Sequence, residues 1–133
     1  MASIFTKIIK GEIPAHKVAE TEKFLAFLDI SPNTKGHTLC IPKEEVDKVW
    51  DLDENTYMEL MAFSRKVALA IEKTIDCNRV GLAVVGLEVP HVHVHLIPLS
   101  KMKDIDFSQV TELSDDEFAK TAATIAKQYK ADN

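Results

Sequence analysis

The sequence predicts an α+β domain: a five-stranded antiparallel sheet with a long helix packed on it and a second helix at the C-terminus. Three observations carry that prediction. Five short aliphatic and β-branched runs are separated by clusters of turn formers. Between Tyr57 and Ile75 the apolar residues recur at three- and four-residue steps, the period of a helix rather than a strand. The same period returns after Ser114. With 133 residues, 46% hydrophobic and 28% charged, the chain has enough apolar material for one domain spanning 1–133 without staples.

Each element has its own signal. Ser3 to Lys10 reads as a short helical turn, closed by Gly11 and the Ile13-Pro14 step. His16 to Glu20 and Phe24 to Asp29 form a hairpin across the polar Thr21-Glu22-Lys23. Ser31 to Gly36 is dense in turn residues, and His37 to Ile41 is the third strand. Asp53 caps the long helix, whose stripe is Tyr57, Leu60, Met61, Ser64, Val67, Ala68, Ile71 and Ile75. Arg79 to Val85 is the fourth strand, Gly86 to Pro90 a connection, and His91 to Leu96 the fifth strand. Lys101 to Thr111 lacks a period and reads as a surface loop. Ser114 and Glu117 make a capping box for a last helix striped with Phe118, Ala122, Ile125, Ala126 and Tyr129.

Composition narrows the function classes. A net charge of -5, from 16 Lys+Arg against 21 Asp+Glu, argues against non-specific nucleic-acid binding and requires any phosphate site to be built locally. Cys40 and Cys77 form neither a CxxC pair nor a disulfide framework. No signal peptide or apolar run of spanning length is present, so a cytoplasmic protein without a membrane partner is expected.

The most informative stretch is His91-Val92-His93-Val94-His95-Leu96. A strand sends alternate side chains to opposite faces, so the aliphatic residues bury on one side while three imidazoles line the other, about 7 Å apart at each two-residue step. A nucleophilic histidine needs one free ring nitrogen and a fixed acceptor for the proton on the other. His93, bracketed by His91 and His95, is best placed to attack a tetrahedral phosphate. Three alternate histidines also suit a transition-metal ion, which leaves a metal-dependent hydrolase as an alternative.

This pattern resembles the signature of the histidine triad (HIT) superfamily of nucleotide hydrolases and transferases, in particular its HINT-like branch. Phe5 to Pro14, Phe24 to Pro32 and Gly36 to Lys43 are similar to that family's N-terminal blocks, in the right order, so the resemblance covers roughly residues 4–100 and leaves 101–133 as a helical extension. It implies a homodimer with joined sheets, a purine nucleotide substrate and no cofactor. His93 would attack the α-phosphorus of a nucleoside phosphoramidate or dinucleoside polyphosphate and form a nucleotidyl-histidine. His95 would contact the phosphate oxygens and leaving atom, with His91 and His37 supporting. The Gly86 backbone would approach the phosphate, Asp29 would accept the ribose hydroxyls, and Phe5, Ile8, Phe27, Ile30 and Leu39 would hold the base.

The departures from the family pattern are specific. Many relatives have a CxxC and a later histidine as zinc ligands, where this chain has Ser3, Thr6 and Glu45, so structural zinc is not expected. The loop before the triad is short and lacks the Asn or Gln that contacts phosphate in relatives. A nucleotide-binding module with little turnover is therefore a further alternative. Glu88 aligns near the leaving group, as a proton donor or a repelling charge.

Overall fold

The computed structural model describes residues 2–133. In chain order the elements are α1 (Ile4–Ile9), β1 (Lys17–Glu20), β2 (Phe24–Leu28), β3 (Thr38–Pro42), α2 (Glu54–Thr74), β4 (Arg79–Ala83), β5 (Val94–Leu99) and α3 (Asp115–Asp132), with 3-10 turns at Val49–Asp51 and Met102–Ile105. The strands form one five-stranded antiparallel sheet, as the sequence predicts, and their order is β1-β2-β3-β5-β4.

The helices start where the chain offers caps. The Asp53 carboxylate accepts from the Thr56 N–H at 2.8 Å and from its hydroxyl at 2.9 Å, which satisfies groups that the first turn of α2 leaves unpaired. Ser114 and Glu117 form the reciprocal box that opens α3. From α2, Leu60, Phe63, Val67 and Ile71 bury against Phe24, Ala26, Leu28, Cys40, Val94 and Leu96 of the sheet, and Phe118, Ala122 and Ile125 of α3 complete this core. Leu60, Val67 and Ile71 are fully buried, and truncating Leu60 to Ala costs about 2–5 kcal/mol.

The expected half-covered sheet is covered more fully. Every residue of β2 is buried, because Phe5 and Ile8 of α1 pack over the opposite face against Leu25, Phe27, Leu39 and Ile41. A continuous apolar run such as Phe24-Leu25-Ala26-Phe27-Leu28 is what a strand buried on both faces requires.

The fifth strand begins at Val94, not at His91. The His91 carbonyl accepts from the ring of His93 at 2.7 Å, and the Val92 N–H turns to the Val46 carbonyl at 2.8 Å, so neither joins the ladder. Alternation nevertheless persists through the segment. Val92, Val94 and Leu96 enter the helix-side core, while His95 aligns with Leu39 on β3 and with Ala83 on β4, and Leu39 aligns with Phe27. That row forms the floor of the opposite face. Other strand boundaries shift by one or two residues: β1 starts at Lys17, β2 ends at Leu28, β3 runs Thr38–Pro42 and β4 stops at Ala83.

Candidate active site

Hydrogen bonds assign the proton on each buried imidazole. A carbonyl only accepts, so Nδ1 of His93, 2.7 Å from the His91 carbonyl, carries the hydrogen and leaves Nε2 with its lone pair free. His93 Nε2 has no protein partner among the described residues. The backbone N–H of Asn33 donates to Nδ1 of His37 at 3.0 Å, which puts the His37 proton on Nε2. That Nε2–H faces Nδ1 of His95 at 3.0 Å, so His95 in turn carries its hydrogen on Nε2, which has no protein acceptor among the described residues. A lone pair on His93 thus stands beside a donor on His95, with ring centroids 4.9 Å apart.

Burial keeps the supporting rings neutral. Desolvation is the main cause that pushes His95 down to about 3 and His37 to about 4, with neighbouring His93 adding to both and Asp29 opposing it at His37. His91 is also lowered by burial, and its Nε2–H donates to the Pro42 carbonyl at 2.8 Å.

Asp29 follows β2, with one carboxylate oxygen accepting the Ser31 N–H at 2.9 Å and the other 3.6 Å from His37 Nε2. The turn role and a place beside the histidines therefore coexist. Phe5, Ile8, Phe27 and Leu39 gather in one apolar cluster, and Phe5 stands edge-on to His93 with centroids 5.0 Å apart. Ile30 lies outside that cluster and is 73% exposed. Gly86 has φ +74° and shares with His93 the lining of a cavity of about 570 Å³, together with Trp50, Tyr57 and Leu87. A positive φ at the end of a strand is the conformation glycine supplies without steric cost. Glu88 is exposed in the following loop, with no hydrogen bond to the histidines among the described residues.

The HIT domain family model matches residues 10–102. The chain belongs to the HIT domain family. It is 41% identical over 99 residues to an adenosine 5'-monophosphoramidase from Schizosaccharomyces pombe, covering 74% of each chain. A HIT-like protein from Bartonella henselae superposes with a TM-score of 0.83 at 29% identity, covering 95% of both chains. A hypothetical histidine triad nucleotide-binding protein from Sulfolobus tokodaii superposes with a TM-score of 0.83 at 29% identity, covering 96% of this chain and 92% of the other.

In this HIT protein the positions that depart from the zinc-bearing pattern form a cluster of their own. The Ser3 hydroxyl lies 2.7 Å from His91 Nδ1, the Ser3 N–H donates to Glu45 at 2.7 Å, and the Thr6 hydroxyl donates to the same oxygen at 2.6 Å. These bonds hold the Glu45 carboxyl down at about 2, chiefly through the Ser3 N–H. Two hydroxyls and a carboxylate already joined by hydrogen bonds do not fit a structural zinc ion, which favours thiolate and imidazole. Ligation by all three triad histidines is also disfavoured, since both nitrogens of His91 are engaged. Asp29, His37 and His95 bring ligand atoms within 4.8 Å of one another, but His37 Nδ1 is taken by Asn33 and its Nε2 carries the proton.

Four participants escape a sequence reading of the HIT domain. Ser3 and Glu45 brace His91 from a distance in sequence that no local pattern reports. Asn33 sits in a turn-rich stretch whose composition says only that the chain bends. The segment 101–111 is largely an exposed loop, as expected, but it also carries Phe107 to the ring of His95, with centroids 4.8 Å apart.

Proposed function

We propose that this HIT protein is a hydrolase or nucleotidyl transferase acting at the α-phosphorus of purine nucleoside phosphoramidates or dinucleoside polyphosphates. The observation that carries the reading is the pairing of a free Nε2 on His93, its other nitrogen anchored on the His91 carbonyl, with a free Nε2–H on His95. His93 attacks phosphorus, and the P–N bond breaks with its electron pair leaving on the amine nitrogen. A phosphoramidate that enters protonated on nitrogen releases a neutral amine. The nucleotidyl-imidazolium keeps its Nδ1–H on the carbonyl, while His95 donates to the phosphate oxygens as charge builds on them. Water then forms the new P–O bond, the P–N bond breaks with its electron pair returning to His93 Nε2, and the proton of the water leaves to solvent as the nucleoside monophosphate is released.

The remaining residues serve binding. Asp29 accepts the ribose hydroxyls beside His37, the Phe5, Ile8, Phe27 and Leu39 cluster receives the purine, and Gly86 lets the backbone approach the phosphate. Support for the amine leaving group comes from the phosphoramidase relative at 41% identity. Nothing in this chemistry calls for a cofactor.

The test is turnover of adenosine 5′-phosphoramidate against a dinucleoside polyphosphate by wild-type protein and by His93→Asn. The variant is expected to lose about a thousandfold or more in kcat while still binding the nucleotide. Mass spectrometry after mixing with an activated adenylate should place an acid-labile adduct on the His91 to Pro98 peptide. Retained activity in His93→Asn, or an adduct elsewhere, refutes the assignment.

A further inference from the structure

The segment between β5 and α3 is built as a fixed flap. The Asn33 amide donates to the Asp104 carbonyl at 3.0 Å, and the Asn33 carbonyl accepts from the Gln109 side chain at 3.1 Å and from the Thr111 hydroxyl at 2.7 Å. The Thr111 N–H adds a bond to the Pro32 carbonyl at 2.8 Å. Between these anchors the Asp106 carboxylate accepts from the N–H and the hydroxyl of Ser108, at 2.9 and 2.7 Å, closing a tight turn with Phe107 at its apex. The ring leaves that turn to stand edge-on against His95, with centroids 4.8 Å apart, and against His37 at 6.3 Å. Phe107 is 45% exposed, yet it points at the two imidazoles that hold the proton relay.

We propose that Phe107 is a positioning residue of the reaction: it shields the His37–His95 hydrogen bond from water and so fixes His95 as a neutral ring with its hydrogen on Nε2. The proposal rests on the catalytic reading of His95 given above. Its physical basis is that a low-dielectric neighbour disfavours the charged imidazolium, and that the relay delivers a free donor only while both rings stay neutral. Burial is the main cause of the low positions of His95 and His37, and Phe107 is the part of that cover that the flap supplies. The charged and titratable groups facing the pair are His93, beside His95, and Asp29, beside His37. The flap's own carboxylates are turned away onto backbone N–H groups, Asp104 onto Ser100 and Lys101 and Asp106 onto Ser108. The same Asn33 whose carbonyl and amide clamp the flap also donates its N–H to His37, which ties flap position to tautomer.

The decisive experiment is a pH titration of ¹⁵N-histidine-labelled full-length protein, following the ring nitrogens of His95 and His37 in wild type, Phe107→Ala, Phe107→Leu and, as a control in the same segment, the exposed Met102→Ala. Phe107→Ala should raise the titration midpoints by about one pH unit and mix the His95 tautomers, Phe107→Leu should restore most of the wild-type behaviour, and Met102→Ala should change nothing. In turnover at neutral pH, where both rings stay neutral even after that shift, the tautomer change in Phe107→Ala should carry the loss, a fall in kcat of about tenfold with KM near wild type. Unchanged midpoints in Phe107→Ala, an equal rise in Met102→Ala, or shifted midpoints with unaltered kcat would each overturn the proposal. A wild-type protein without turnover would instead defeat the hydrolase reading, and the titration would still judge the shielding.

Discussion

At the scale of single residues, the site is governed by which nitrogen holds a hydrogen. His37, His91 and His95 are all held below the ordinary histidine value by burial, so the folded protein resists binding protons that the unfolded chain takes up. Their contribution to stability is fully present above the unfolded value of about 6.5 and is lost as pH falls from there toward about 4 and then about 3. Melting temperature should therefore drop between pH 7 and pH 5, and a flat profile across that interval would contradict neutral buried rings. His37→Phe, which removes the titration, should flatten the slope. Asp29 makes a different prediction. If its carboxylate accepts two ribose hydroxyls, Asp29→Ala should weaken ribonucleotide binding tenfold or more, through charge-assisted bonds of about 1.5–3 kcal/mol, and 2′-deoxy ligands should lose less. Calorimetry with both ligand types checks it, and equal losses would assign Asp29 to the turn at Ser31 alone.

At the scale of elements, α1 and α2 offer a matched comparison of two N-caps. Ser3 accepts from the Thr6 N–H at 3.0 Å, and Asp53 accepts from the Thr56 N–H at 2.8 Å. Replacing either with Ala should destabilise the fold by about 1 kcal/mol. Only Ser3→Ala should also lower kcat, because Ser3 braces His91, whose carbonyl anchors His93. Denaturant melts together with turnover separate the two effects, and equal activity in both variants would remove Ser3 from the support of the site. The same elements show what a sequence reading reaches. Helix caps, the period of α2 and the alternation of the triad are local patterns, and most of the element boundaries they predict agree with the structure within a residue or two; β5 lies three residues further on, because the His91 carbonyl and the Val92 N–H bond outside the ladder. The flap and the Ser3, Thr6 and Glu45 cluster depend on contacts between residues 39 to 88 positions apart, and nothing local encodes them. His16 shows the same limit: no local pattern reports its partner, Phe118 of α3, on which it stacks with centroids 5.4 Å apart.

At the scale of the whole molecule, β4 ends the sheet with an unpaired edge beside which Leu82, Val85 and Leu87 are 54%, 48% and 90% exposed and Trp50 is 81% exposed. An exposed apolar sheet edge invites pairing, and a two-fold axis is the commonest way to close it. The protein should therefore sediment near twice 14.9 kDa, and Leu82→Lys should shift it toward monomer. Sedimentation of wild type as a monomer at micromolar concentration would refute that assembly. Among the described residues no helix is long and apolar enough to cross a membrane. The register of the sheet carries one more consequence. Sliding β5 by a single residue against β3 would exchange its two faces, driving His95 into the helix-side core and Val94 and Leu96 into the cleft. A misaligned molecule would bury imidazoles among aliphatic side chains. On the proposed reading of His93 as nucleophile, turnover would then report the register: after refolding from denaturant, recovered turnover should rise in strict proportion to recovered native protein, with no stable, inactive population left behind.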